Sequence, residues 1–229
     1  MSKRIIAIGD IHGHAEALAA LVRLVDLRPE DTLVTLGDYV DRGPDSKGVL
    51  DQLIELQHRC HFVPLKGNHE EMMLGAREGR SDLKFWMTFG GDVALESYGP
   101  DQTLRLVPRQ HWAFLERLPL VFETEQHFFV HANYYPNRPI NEQDSQTALW
   151  RPLESDDIPG PHYSGKTAIV GHTPQNSGEI LDLGHLKCID TGCGFGGWLT
   201  ALDVVSGRIW QVDEAGADRR GQPAKRQGL

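Results

Sequence analysis

Five short clusters along the 229-residue chain carry side chains that could hold cations or move protons. They are Gly9-Asp10-Ile11-His12-Gly13, Gly37-Asp38-Tyr39-Val40-Asp41-Arg42-Gly43, Gly67-Asn68-His69-Glu70, Val130-His131-Ala132-Asn133 and Gly171-His172-Thr173-Pro174. Asp10, His12, Asp38, Asn68, His131 and His172 offer oxygen and imidazole donors and no thiolate. Such a mixed set suits Mn, Fe or Zn rather than a soft-metal site or a calcium cage. A single Asp-x-His is more often a turn, and a single buried His is usually a hydrogen-bonded core residue. That plainer reading applies to His14, His58, His61, His111, His127, His162 and His185. The five clusters differ from this background by position, because each sits where an apolar run ends. In open α/β sheets the crevice beyond the carboxyl ends of the strands is where ligands bind, so the clusters can converge. Gly precedes Asp10, Asp38, Asn68 and His172, allowing a sharp turn of the strand toward a cation.

The elements that must position these clusters show as changes of period. Ile5 to Ile8 reads as a buried strand, followed by helical spacing of Leu18, Leu21, Val22 and Val25 within Ala15 to Leu27. Thr32 to Leu36, Ser46 to Gln57 and Phe62 to Leu65 repeat the pattern, and this β-α-β-α-β order predicts a parallel sheet with right-handed crossovers. Past residue 120, short strands recur at Val121 to Thr124, Phe128 to His131, Thr167 to Val170, Glu179 to Leu183, Leu186 to Asp190, Leu199 to Val204 and Arg208 to Val212. This strand-rich half is expected to complete a second sheet. Ser81 to Leu118, rich in aromatics, reads as a helical insertion or cap. Asn137 to Pro161 reads as a long surface loop, and 214–229 as a flexible C-terminal tail.

Composition narrows the partners. Forty per cent hydrophobic and 24% charged residues describe an ordinary globular chain, long enough for one sizeable α/β core. A net charge of −9 argues against nucleic acid as the main partner, although a metal site can invert the field locally. Cys60, Cys188 and Cys193 lack C-x-x-C spacing, which suits a reducing, cytoplasmic compartment, and no segment approaches membrane-spanning length.

In this order, G-D-x-H-G, G-D-x-V-D-R-G and G-N-H-E resemble the motifs of the calcineurin-like metallophosphoesterases, and among them the small bacterial serine/threonine phosphoprotein phosphatases. The similarity spans about residues 5 to 212 and implies an α/β fold, an αββα sandwich of two mixed sheets flanked by helices, with residues 1–213 as the phosphoesterase domain. It further implies two divalent metal ions, with Mn2+ favoured and Fe, Zn, Co or Ni accepted by the same ligands. Carried over by motif, Asp10, His12 and Asp38 hold the first ion. Asp38 bridges to the second, which Asn68, His131 and His172 complete, and the ions share a water or hydroxide as nucleophile. His69 is implied as the general acid, Asp41 as its orienting partner and Arg42 as the phosphate clamp, with Asn68 also near the phosphate. Arg151, directly after Trp150, is matched to a second phosphate-binding arginine, with a solvated loop arginine as the alternative. Asn133, Tyr134 and Tyr135 either wall the pocket or pack elsewhere.

Two absences sort the relatives. Thr173 and Pro174 stand where many phosphodiesterase members have Gly-His-x-His, and Asp41 is kept where diadenosine-tetraphosphate hydrolases commonly replace it. The resemblance therefore favours a phosphomonoesterase acting on a phosphorylated protein, peptide or small phosphoester; a monomer is favoured, although the sequence does not fix the oligomeric state. The second reading is a hydrolase of dinucleoside polyphosphates or small metabolites, and a scaffold that has lost catalysis is the third.

Overall fold

The computed structural model describes residues 3–80, 82–154 and 157–221. The apolar run Ile5–Ile8 forms strand β1, and Ala15–Val25 follows as helix α1, its Ala17, Leu18, Leu21, Val22 and Val25 buried along one stripe. The unit repeats as β2 (Thr32–Thr35), α2 (Ser46–Leu56), β3 (His61–Pro64) and α3 (Asn68–Glu78). β1 pairs with β2 and β2 with β3, all parallel. The side chain of Asp45 caps α2 by accepting from the Gly48 N–H.

β4 (Val121–Glu123), β5 (His127–Val130), β6 (Thr167–Val170), β7 (Leu181–Asp182) and β8 (Leu186–Cys188) form the second sheet in the order β4-β5-β6-β8-β7. The last two strands depart from the sequence expectation. β9 (Leu199–Asp203) and β10 (Ile209–Val212) join the first sheet, giving β10-β9-β1-β2-β3 with β9 antiparallel to β1. All five residues of β9 are buried, which a central strand between β10 and β1 satisfies and which also removes the open edge of β1.

Strand alternation then builds three apolar layers. Ile6 and Ile8 face the helices, whereas Ala7, Val34, Phe129, Ile169 and Leu202 meet between the sheets. Phe128, Val130, Ala168 and Val170 face outward beneath Tyr134, Ile140 and Ala148. The architecture is two mixed sheets flanked by helices.

Residues 82–118 form short helical pieces: α4 (Leu83–Trp86), a wide turn over Met87–Gly91, α5 (Asp92–Glu96) and α6 (Arg109–Leu115). Trp86, Leu95, Trp112 and Leu115 bury these pieces into the core of the first sheet. Residues 137–161 are not all loop, because Asp144 caps a short helix, α7 (Ser145–Trp150), which buries Thr147, Ala148 and Leu149. Of the expected tail, residues 222–229 lie outside the described residues. Within 214–221, Arg219 Nη1 donates to Gly178 O and to Gln211 Oε1, each at 2.6 Å.

Candidate active site

The five clusters follow β1, β2, β3, β5 and β6 directly, so three loops of the first sheet and two of the second open at one rim. At its centre is Asp38, 2% exposed. Its Oδ2 faces His12 Nε2 at 3.5 Å and His69 Nε2 at 3.9 Å, and its Oδ1 faces His131 Nε2 at 3.4 Å. Two donor groups result, His12-Asp38-His69 and Asp38-His131-His172, each with its ligand atoms within 4.8 Å of one another. Asp38 belongs to both.

Backbone contacts set the ring tautomers. His12 Nδ1 lies 3.1 Å from Val40 O and His131 Nδ1 lies 2.8 Å from Leu36 O. Each carbonyl accepts a hydrogen bond from the Nδ1–H, which leaves the Nε2 lone pair facing the cluster. Asn68 Oδ1 stands 2.9 Å from His131 Nε2 and 3.1 Å from His172 Nδ1. With the amide reversed, its two N–H bonds would face four acceptors at 2.9–3.3 Å, on His131, His172 and both oxygens of Asp38. Acceptors outnumber protons in either orientation, and so crowded a set of lone pairs fits divalent cations. Asp10 is buried beside this set, its two carboxylate oxygens accepting the His172 backbone N–H at 3.2 and 3.1 Å.

The loops are held in uncommon backbone conformations. Of seven non-glycine residues with positive φ among the described residues, five are His12, Asp38, Asp41, Arg42 and His172. Such backbone costs on the order of 1–3 kcal/mol per residue and persists only when the surroundings enforce it. Glu70 is one enforcer: its carboxylate accepts the N–H groups of Asp38 (2.8 Å), Tyr39 (2.7 Å), Val40 (3.3 Å) and Gly67 (2.9 Å). Gly67 is required for close approach, since a Cβ there would overlap Asp38 Oδ1.

Charge is distributed accordingly. Burial lowers the pKa of His12 and His131, and burial plus the neighbouring His131 brings His172 down to about 4, so these rings are neutral donors at pH 7. Burial opposes ionisation of Asp38, yet the imidazoles around it hold it below the usual carboxylate range. Burial also pushes up Asp10, helped by Asp190 and Asp38, and brings Asp190 up to about 7. His69 alone among the clustered rings is raised: burial disfavours its cation, but Asp38 and Asp41 outweigh that.

A family model described as calcineurin-like phosphoesterase matches residues 3–190. The chain belongs to this family. It is 31% identical over 214 residues to serine/threonine-protein phosphatase 1 of Salmonella typhimurium, covering 88% of this chain and 92% of that one. It is 28% identical to the asymmetrical bis(5'-nucleosyl)-tetraphosphatase PrpE of Anoxybacillus flavithermus, covering 85% and 88%. A crystal structure of a putative diadenosine tetraphosphatase superimposes with a TM-score of 0.69 at 25% identity, over 93% of this chain and 94% of that one.

In this phosphoesterase, His69 Nδ1 lies 2.6 Å from Asp41 Oδ2, a buried dyad beside Asp38. Arg42 Nη1 approaches His12 Nε2 at 2.6 Å and Nη2 approaches His69 Nε2 at 3.2 Å, with the guanidinium 4.3 Å from the centre of the Phe195 ring. Arg151 stands apart. Its Nε donates to Asp157 Oδ2 at 2.5 Å, it lies over Tyr135, and no hydrogen bond joins its side chain to the cluster among the described residues. Tyr134 is buried against Phe128 rather than walling the site. Sequence reasoning missed Asp190 and Trp86 and gave Glu70 no role. Asp190 closes the predicted strand Leu186 to Asp190, as His131 closes its own, and that was its available signal; Trp86 had none, because its partner is 45 positions away.

Proposed function

We propose that this phosphoesterase is a phosphomonoesterase using two divalent cations, Mn2+ favoured, and acting on phosphoserine or phosphothreonine. The observation that carries the reading is Asp38, whose two carboxylate oxygens face separate donor groups while the buried His69–Asp41 dyad stands beside it. Asp10, His12 and Asp38 would hold one cation, and Asp38, Asn68, His131 and His172 the other. When bound, the cations supply positive charge that lowers the pKa of an attacking water and neutralises phosphoryl oxygens.

The remaining work falls to the chain itself. Arg42, released from His12 Nε2 and His69 Nε2, clamps two phosphoryl oxygens through its guanidinium fork. His69 Nε2 donates a proton to the leaving oxygen as the P–O bond breaks, while Asp41 holds Nδ1 and the ring orientation. A serine or threonine alkoxide leaves poorly without that proton, which is what makes the dyad fit a monoester of an alcohol. The name of the Salmonella relative supports the same substrate class, and Cys60, Cys188 and Cys193, without C-x-x-C spacing, suit a reducing cytoplasm.

A second reading, dinucleoside polyphosphate hydrolysis, is favoured by Phe195. This residue is 62% exposed and stacks on Arg42, so it offers a nucleobase an aromatic surface at the phosphate clamp. The names of the PrpE relative and of the structural neighbour point the same way. The Mn-reconstituted protein is expected to turn over a phosphoserine peptide with a higher kcat/KM than diadenosine tetraphosphate. The reverse order replaces the first reading with the second, and no turnover of either, nor of an aryl phosphate, removes both.

A further inference from the structure

Asp41 is fully buried, and its carboxylate is used asymmetrically. Oδ2 accepts from His69 Nδ1 at 2.6 Å and also from the Trp86 indole N–H at 2.8 Å. Oδ1 has no hydrogen-bond partner among the described residues. The backbone N–H of Asp41 donates to Ser46 Oγ at 3.0 Å, which anchors the main chain but not the carboxylate. A buried carboxylate with one orphaned oxygen is expensive, and without a second donor nothing else in its side-chain hydrogen bonding fixes its rotation about Cβ–Cγ against His69. The indole supplies that restraint.

Trp86 is itself tightly held. It is fully buried at the end of α4, and the chain returns so closely that a Cβ at Gly91 would lie 2.6 Å from its ring. One residue earlier, Gly90 packs under the active site, where a Cβ would lie 2.5 Å from the Arg42 backbone nitrogen. The helical segment after α3 thus reaches both Asp41 and Arg42.

We infer that Trp86 is a positioning residue for leaving-group protonation: its indole N–H fixes the Asp41 carboxylate that aligns His69. The inference rests on His69 being the general acid. In the hydrolysis, water supplies the oxygen that joins phosphorus and the ester P–O bond breaks. The proton on His69 Nε2 goes to the leaving oxygen, while the Nδ1 proton stays between His69 and Asp41; one hydrogen of the water remains on the phosphate, and the other passes to solvent, from which His69 Nε2 regains its proton.

The test uses two leaving groups. Trp86→Phe removes the N–H and keeps an aromatic ring in the core. Phosphoserine peptide needs its leaving oxygen protonated, whereas p-nitrophenyl phosphate leaves as a stable phenolate. Relative to wild type, the ratio of kcat on the peptide to kcat on the aryl ester is expected to fall roughly 10- to 100-fold, a portion of the 10²–10⁴ typical of a general acid. KM values and metal content per chain should stay near wild type. His69→Asn is the reference and should show the same skew more strongly. Absence of the skew in His69→Asn ends the general-acid reading and Trp86's role with it. If His69→Asn shows the skew and Trp86→Phe slows both substrates equally, or neither, the reading survives and the inference about Trp86 is overturned. Should Trp86→Phe not fold, the wild-type indole resonances decide. Trp86 is expected downfield of the other four tryptophans and to move upfield in Asp41→Asn; an ordinary position that ignores Asp41→Asn overturns the inference.

Discussion

At Asp38, one carboxylate answers to two sets of neighbours, and removing one oxygen's charge therefore touches both. Asp38→Asn replaces an anionic oxygen with an amide N–H that points a proton at either the His12 side or the His131 side. Metal analysis of the purified variant is expected to find occupancy reduced at both sites, whereas His172→Ala, on one side only, should retain the other ion. Full occupancy in Asp38→Asn would show that the carboxylate is not shared. His69→Asn should keep both ions and lower phosphoserine-peptide turnover by about 10²–10⁴-fold, measured by phosphate release. The donors were legible as residues because glycine and polar side chains end apolar strands in a recurrent order. What was not legible is how the donors are held. The left-handed backbone of His12, Asp38, Asp41, Arg42 and His172 leaves no local signal in the residue types, and sequence left Arg151 open between a clamp and a loop arginine, whereas in the structure Asp157 engages it.

At the scale of elements, α3 does more than cover the first sheet. Glu70, in its first turn, reaches back to four backbone N–H groups and so ties the loop after β2 to the loop after β3. Burial and the Asp38 charge push Glu70 up to about 7, against the pull of its backbone donors, which marks it as a group under electrostatic tension. Glu70→Gln keeps the size but offers one acceptor oxygen, leaving buried N–H groups facing an NH2. The expected loss is on the order of 3 kcal/mol, or a Tm lower by roughly 6–12 °C, read by thermal and urea unfolding. A change under about 1 kcal/mol would mean that the loop is held by its other bonds. Helices and strands of the first half were readable because periods of 3.6 and 2 alternate cleanly there. The segment after α3 was readable as helical but not as broken, because the wide turn at Met87–Gly91 is set by close packing of Gly90 on Arg42 and Gly91 on Trp86.

For the whole molecule, strand count and the αββα layering were legible, but the sheet that β9 and β10 would join was not. Local pattern says that a strand is buried, not which edge it meets, and only the open side of β1 decides it. Joining the two sheets at one rim has an electrostatic consequence, because it buries acidic groups and imidazoles together. In the metal-free protein these two sets oppose each other. His172 titrates near 4 when folded against about 6.5 when unfolded, so its contribution to stability is present above about 6.5 and lost as pH falls toward 4. Asp190 and Glu70 titrate near 7 against about 4 when unfolded. Their contribution is present below about 4 and lost as pH rises through 7. Divalent cations remove the opposition, since they favour every carboxylate ionised and every imidazole neutral. Metal binding at pH 6–7 is therefore expected to release protons, measurable by calorimetry in buffers of different ionisation enthalpy. The Tm difference between metal-loaded and metal-free protein should widen from pH 5 to pH 7.5. Proton uptake, or a gap that narrows as pH rises, would mean that these acidic side chains already carry their charge before the cations arrive.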